Sequence, residues 1–408
     1  MTNIEPLQIL APALIEAVPK LAAGRMSVMA FVADTDSERL LRESATLLGG
    51  NLIVRGGIAK AIEHLCEQRS PHLLLVDISG ADLPLSQIHT LADVCEPGTT
   101  VVALGDHNDV GLYRDLQEAG VSDYILKPLT RERLSKILTP KTSLAELGKT
   151  GLKLGKMVSV IGARGGVGTT TLAANLAWHL ANRQSRRVAL VDLDLQHGDC
   201  AILFNINYTP GFRDALANPL RLDHLLLDRI MTQVGDRLFV LGSEEPLHDN
   251  VNFSTNAIDT LFSVLRAHFH YIVVDVPRIP APAYRRALEL ADRRVIVVDQ
   301  TMRSMRDAMR LAKLFGVSDA GLEHRNMFVV NKIGEAGNGI LNLNDIISVI
   351  GVQPTSTIPF LPSLISPAVH NGLIAASKRG KFANAVTALA LELSGRNPRR
   401  SWWRRAGK

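Results

Sequence analysis

The sequence predicts an α/β protein of two doubly wound domains, on three observations. Short apolar runs alternate with helical patterns along most of the chain, the later runs are continuously apolar, and a glycine-rich loop joins one of them to a helix. Such alternation builds parallel sheets, because parallel neighbours need a crossover helix and helices on both faces leave the strands no polar side. With 408 residues, 46% hydrophobic and 21% charged, the chain has length for two or three domains and a sizeable core.

The elements follow in order. Residues 1–25 are read as an N-terminal leader, whose apolar part, Ile9 to Val18, is accompanied by Glu5 and Glu16 where a signal peptide carries positive charge. No apolar run reaches the roughly eighteen residues that a membrane-spanning helix needs, so a cytoplasmic protein is expected. Across residues 26–138 the runs SVMAFV, NLIV, HLLLVD, TTVVAL and DYIL mark five β/α units of a small doubly wound sheet. Residues 139–156 (TPKTSLAELGKTGLKLGK) are low in large apolar residues and punctuated by Pro, Gly and Lys, which reads as a linker. Residues 157–394 carry a second series, MVSVIG, VALVD, LFVLG, YIVVD, RVIVVD and MFVVN, spaced for crossover helices. The tail, residues 395–408 (GRNPRRSWWRRAGK), holds six Arg or Lys and no acid, so a chain of net charge +5 has a nearly neutral body and a basic end. Cys66, Cys95 and Cys200 lie far apart beside apolar residues and are expected to be buried free thiols.

The glycine-rich loop is VIGARGGVGTTT, residues 160–171. A strand ending at Gly162 and a helix over Thr170 to Arg183, with Leu172, Leu176 and Leu180 on one face, place Gly165, Gly166, Val167 and Gly168 at a helix N-terminus. Backbone N–H groups and the helix dipole there point at an anion, so the loop is a candidate phosphate cradle. In the GxxxxGK[ST] pattern a lysine follows the last glycine, and here that position holds Thr169; Thr170 keeps the hydroxyl that ligates Mg²⁺, and Thr171 follows it. A tight strand-to-helix turn without a ligand is the alternative.

ARGGVGTTT resembles the deviant phosphate loop KGGVGKTT of the MinD/ParA-type ATPases, in which an early signature lysine crosses to the partner subunit's nucleotide; Arg164 stands at that position. VDLDLQHGD resembles the family's switch segment, which implies that Asp194 orients the attacking water with Asp192 beside it. YIVVDVP is similar to the Walker B strand, with Asp275 toward Mg²⁺; VVNKIG to the segment whose asparagine, Asn331, reads the adenine edge; and IPFLPSL, with Pro359, to the loop covering the base. The resemblance implies a P-loop NTPase (MinD/ParA-like) domain that binds ATP and Mg²⁺, with metal toward Thr170, Asp192 and Asp275, and that pairs as an ATP-sandwich homodimer. Each acid also has a plain reading as a helix cap after a strand. Asp199 and Arg278 are secondary candidates.

FVADTD, HLLLVDIS and AGVSDYILKP resemble a flavodoxin-like response-regulator receiver domain, with Asp77 at the phosphoacceptor position, Asp34 as one acid of its metal-binding pair and Lys127 before the proline after the fifth strand. Ala33 replaces the pair's other acid and Gly105 the switching hydroxyl, so the resemblance implies a docking module rather than a working phosphoacceptor. A degenerate receiver ahead of a MinD/ParA-like ATPase with arginine in the loop resembles the CpaE/TadZ pilus assembly proteins. That resemblance implies a polar positioning factor for a Flp (tight-adherence) pilus secretion machinery, with slow ATP hydrolysis at most and pilus assembly proteins as partners. A chromosome or plasmid partition ATPase, which needs a basic ATPase surface for DNA, and an output protein gated by phosphorylation at Asp77 are the alternatives; the neutral body argues against specific nucleic acid. The tail's tryptophans and arginines suit an anionic membrane surface at the inner face, each cation adding about 1 kcal/mol; a solvated terminus is the alternative.

Overall fold

The computed structural model describes residues 26–45, 51–138, 154–315, 325–335 and 340–394. The leader 1–25, the tail 395–408 and residues 139–153 of the predicted linker lie outside the described residues. All five predicted strands of the first series form: β1 (Val28–Val32), β2 (Asn51–Arg55), β3 (Leu73–Asp77), β4 (Thr100–Gly105) and β5 (Asp123–Leu126). They pair in parallel in the order β2-β1-β3-β4-β5, the flavodoxin-like winding. The continuous apolarity of HLLLVD has its cause in the packing. Leu74 and Val76 enter a cluster with Ile58, Leu65 and Leu91, whereas Leu75 points to the other face with Leu41 and Leu134.

The second sheet has eight strands: β6 (Lys156–Gly162), β7 (Val188–Asp192), β8 (Thr232–Val234), β9 (Leu238–Leu241), β10 (Tyr271–Val276), β11 (Arg293–Val298), β12 (Asn326–Ile333) and β13 (Ser356–Pro359). Their order is β13-β12-β11-β6-β10-β7-β9-β8, parallel except for the β8/β9 edge. Two strands exceed the predicted six, and both are edges. β8 is TQV, with no apolar run to announce it, and β13 takes Ser356–Pro359 out of the stretch read as a base-covering loop. β6 starts at Lys156, inside the stretch read as linker, and the helix after the glycine loop spans Thr169–Asn182, one residue earlier than expected at each end. That helix buries Leu172, Leu176 and Leu180 completely. Each such leucine contributes about 1.5–3 kcal/mol of transfer free energy, which anchors the helix whose first turn borders the loop.

Cys95 and Cys200 are buried free thiols as expected, but Cys66 is exposed. It sits in the helix Ile58–Glu67, whose buried stripe is Ile58, Ala61 and Leu65; position 66 falls beyond that stripe and turns outward. Arg237 Nη2 donates to the Cys66 carbonyl at 2.6 Å and Arg187 Nη1 lies 3.8 Å from Glu96 Oε2, so the two sheets meet near the starts of their strands. The strand C-terminal ends, where Asp77 and the glycine loop lie, are at the opposite edges. Among the described residues no helix is long and apolar enough to cross a membrane.

Candidate functional site

The loop emerges from β6, the central strand at which the winding reverses direction, the position where open α/β sheets place their ligands. Gly166 and Gly168 adopt φ of 76° and 92°, a left-handed backbone that a side chain would strain, and Gly168 directly precedes the helix Thr169–Asn182. No atom lies within 4 Å of a Cβ built at Gly165 or Gly166, so the outer face of the cradle is open to an anion. Thr169 turns back into the loop: its Oγ1 would be only 2.4 Å from a Cβ at Gly162.

β10 pairs with both β6 and β7, and the register sets Asp275 opposite Asp192. Both carboxylates are buried, at 1% exposure for Asp192 and 6% for Asp275. Burial raises the Asp192 carboxyl above its ordinary range, opposed by the backbone N–H groups of Cys200 and Asp194 and by the Tyr208 hydroxyl. Burial also raises Asp275; the Asp192 charge adds to it, and a hydrogen bond from Thr170 opposes it. No basic side chain among the described residues bonds to either acid. Two buried carboxylates beside a threonine hydroxyl form a hard oxygen set suited to Mg²⁺ rather than to a soft metal. Thr170, Asp192 and Asp275 would hold that ion, and its charge would neutralise both the acids and bound phosphates.

Cys200 was missed as a neighbour of this site. Its sulfur and the two carboxylates lie within 4.8 Å of one another, yet burial pushes the thiol well above its ordinary range, so it stays protonated and is a poor ligand. Cys200 opens a helix of five residues, Cys200–Phe204, too short to carry a periodic signal that could have announced it.

Asp194 lies at the rim, with Oδ1 accepting from the His197 backbone N–H at 3.0 Å. Asp199 precedes the helix Cys200–Phe204 without capping it. Arg164 is half-buried, and no hydrogen bond or ion pair with a described residue fixes its guanidinium. Asp307 is held below its ordinary range first by Arg306 and more weakly by the charges of Arg278 and Arg164. Asn331 does pack against the loop, but its amide is committed: Nδ2 donates to the Val167 carbonyl at 2.7 Å and Oδ1 accepts from the Lys332 N–H. Pro359 pairs with Ile333 at the end of β13, next to the Asn331 strand. Thr171 lies in the first helical turn beyond Thr170.

At the C-terminal edge of the first sheet, Asp77 is fully buried and both of its oxygens are used. Oδ2 accepts from the Ala33 N–H at 2.8 Å and from Lys127 Nζ at 2.5 Å, and Oδ1 accepts from the Ser79 N–H at 2.9 Å. Lys127 also reaches Asp34 Oδ2 at 2.6 Å. Gly105 leaves room for no switching hydroxyl, because Tyr124 Oη would lie 2.2 Å from its Cβ and instead donates to the His107 carbonyl.

Residues 155–320 match the family model described as an AAA domain. A septum site-determining protein MinD from Synechocystis is 25% identical over 210 residues, 51% of this chain and 75% of its own length. A ParA family ATPase from Chlorobium tepidum superposes with TM-score 0.53 at 22% identity, covering 59% of this chain and 98% of that one. MinD from Pyrococcus horikoshii, solved with Mg-ADP, gives 0.50 at 19%, covering 59% and 96%. A pilus assembly protein CpaE from Caulobacter crescentus is 32% identical over 28% of this chain, with a TM-score of 0.27 that shows nothing about the whole. Fold and loop together define a P-loop nucleotide-binding domain. Within that class, the C-terminal part of the chain has the MinD/ParA-like P-loop NTPase fold and is similar in sequence to MinD.

The buried acids carry a pH prediction. Carboxyls whose folded-state pKa is raised reduce stability as pH climbs above the ordinary value of 3.8, because the folded state then holds protons that the unfolded state has released. Nucleotide-free Asp275→Asn is therefore expected to melt higher than wild type at pH 8, with the advantage fading toward pH 4, while losing the stabilisation that Mg²⁺ and nucleotide give the wild type. Melting scans at both pH values check this; a variant less stable at pH 8 contradicts it.

Proposed function

We propose that this chain is an ATP-binding, dimerising positioning protein of the MinD/ParA kind, which localises a Flp-type pilus secretion machinery at the cell pole and hydrolyses ATP slowly. The observation that carries the nucleotide reading is the open glycine cradle at the end of β6, facing Thr170, Asp192 and Asp275. The pilus reading is supported by the order of a receiver-like module and an ATPase whose loop carries Arg164. A phosphorylation-gated output is disfavoured by the closed environment of Asp77. Bound through the loop N–H groups, the nucleotide's phosphates would face Arg164, whose guanidinium suits bidentate phosphate contact; Asp194, at the rim, would orient a water. Weak membrane attachment through the tail and recruitment to the pole belong to the same proposal.

The experiment is light scattering with ATP and Mg²⁺. Wild type is expected to double in mass, whereas Arg164→Ala binds ATP and stays monomeric. Equal masses for the two proteins overturn the dimer, and stoichiometric phosphoryl transfer from acetyl phosphate to Asp77 favours the gated alternative. A tagged copy forming one polar focus that pilus components then join tests the cellular role.

A further inference from the structure

We infer that Tyr208 is a positioning residue for the metal-side carboxylate Asp192, a role that rests on the nucleotide-site reading above. Tyr208 lies in the segment between the helices Cys200–Phe204 and Phe212–Ala217, outside every stretch that the loop motifs cover. Its hydroxyl donates to Asp192 Oδ2 at 3.1 Å. The same oxygen accepts from the Cys200 N–H at 3.3 Å, and Oδ1 accepts from the Asp194 N–H at 3.1 Å. The Cys200 thiol also hydrogen-bonds to the carboxylate, and like the two backbone N–H groups it is carried by the switch segment and its helix. Tyr208 is the donor that approaches from a different segment.

The ring is placed by packing. Gly242, just after β9, leaves the space it fills: a Cβ there would come within 2.6 Å of Tyr208 Cε1 and Cζ. On the other side the chain closes at Gly198, where a Cβ would meet Asp192 Oδ2 at 2.3 Å. The carboxylate is thus wedged between a backbone turn and a phenol, with its rotamer fixed. A buried carboxylate facing a second acid needs such donors to stay ionised and aimed, and partners that orient a metal ligand through hydrogen bonds typically matter 10–100-fold in metal affinity. Tyr208 also ties the loop before the helix Phe212–Ala217 to the state of Asp192, so this segment is coupled to the ion site.

The test is the Mg²⁺ concentration that half-saturates tight binding of a fluorescent ATP analogue. Tyr208→Phe keeps the ring over Gly242 and removes only the hydroxyl. It is expected to need about tenfold more Mg²⁺, with nucleotide affinity in EDTA unchanged. Gly242→Ala displaces the ring with the hydroxyl intact and is expected to raise the Mg²⁺ requirement similarly, the double variant adding little, because both act on one contact. A Tyr208→Phe midpoint within twofold of wild type, or an additive double variant, overturns the assignment. A wild type whose nucleotide affinity ignores Mg²⁺ overturns the nucleotide-site reading itself.

Discussion

Lys127→Met is expected to cost about 3–5 kcal/mol of stability, because it leaves a fully buried carboxylate without its cation. Asp77 has 0% exposure and Lys127 stands between it and Asp34, at 2.5 and 2.6 Å. Burial works against the ammonium, but its hydrogen bonds to Asp34 and Asp77 prevail and raise Lys127 above its ordinary range. Burial likewise works to raise Asp34, yet Lys127 and the Ser37 backbone and hydroxyl outweigh it and lower the carboxyl to about 2. The sign follows from linkage. A depressed acid stabilises the fold above its ordinary 3.8, and that contribution fades as pH falls toward about 2; a raised lysine stabilises below 10.5 and loses its effect above its folded value. Urea unfolding at pH 7 measures the loss, and Asp77→Asn in the Lys127→Met background should recover part of it, since the stranded charge goes with the carboxylate. A Lys127→Met protein as stable as wild type shows that the triad is not the structural pin its burial indicates.

The same residues show what a sequence can and cannot tell. Asp34, Asp77 and Lys127 are singled out by the resemblance of their segments to a receiver domain, whereas the alternation of apolar runs sets both sheets, because strands covered on two faces must be apolar throughout. Their role was not legible: that the carboxylate is sealed depends on the Ala33 N–H and on Tyr124 filling the space beside Gly105, contacts between residues distant in the chain. In the second sheet, the loop and both acids are legible because each lies at or next to the end of a strong strand, in segments that resemble family motifs. β8 and β13 are not, since an edge strand of three or four residues needs no apolar face. Tyr208 reaches Asp192 from the irregular stretch after the helix Cys200–Phe204, and Cys200 from the start of that five-residue helix, both too short or irregular for a period to operate. Asn331 was located but its bonding was not, because a short polar side chain settles on whichever carbonyl the fold brings near, here that of Val167.

Thr169→Lys is expected to raise ATP turnover on the order of 10²-fold, the largest kinetic change of any substitution proposed for this chain. Phosphoryl transfer offers the protein little covalent chemistry, so its rate follows how well charge developing on the transferred group is neutralised. In the natural loop, Thr169 presents a hydroxyl that turns back on Gly162, while Thr170 and the two carboxylates serve the metal side. The cradle's N–H groups hold the anion equally in reactant and transition state, which supports binding more than rate. A lysine at 169 starts from the same first turn of the helix, and the missing Cβ at Gly162 leaves its stem a path along the loop. Its ammonium adds a cation where the phosphates would lie, worth about 2.7 kcal/mol for a hundredfold rate change. Affinity should rise far less than turnover. Phosphate release measured with wild type, Thr169→Lys and the Thr169→Lys/Arg164→Ala double variant separates the sources of charge: if lysine restores turnover even without Arg164, the loop cation was the missing element. If Thr169→Lys is no faster than wild type, the result favours Arg164 supplying that charge across the proposed dimer, and the proposed slow turnover must be explained by something other than the lost lysine.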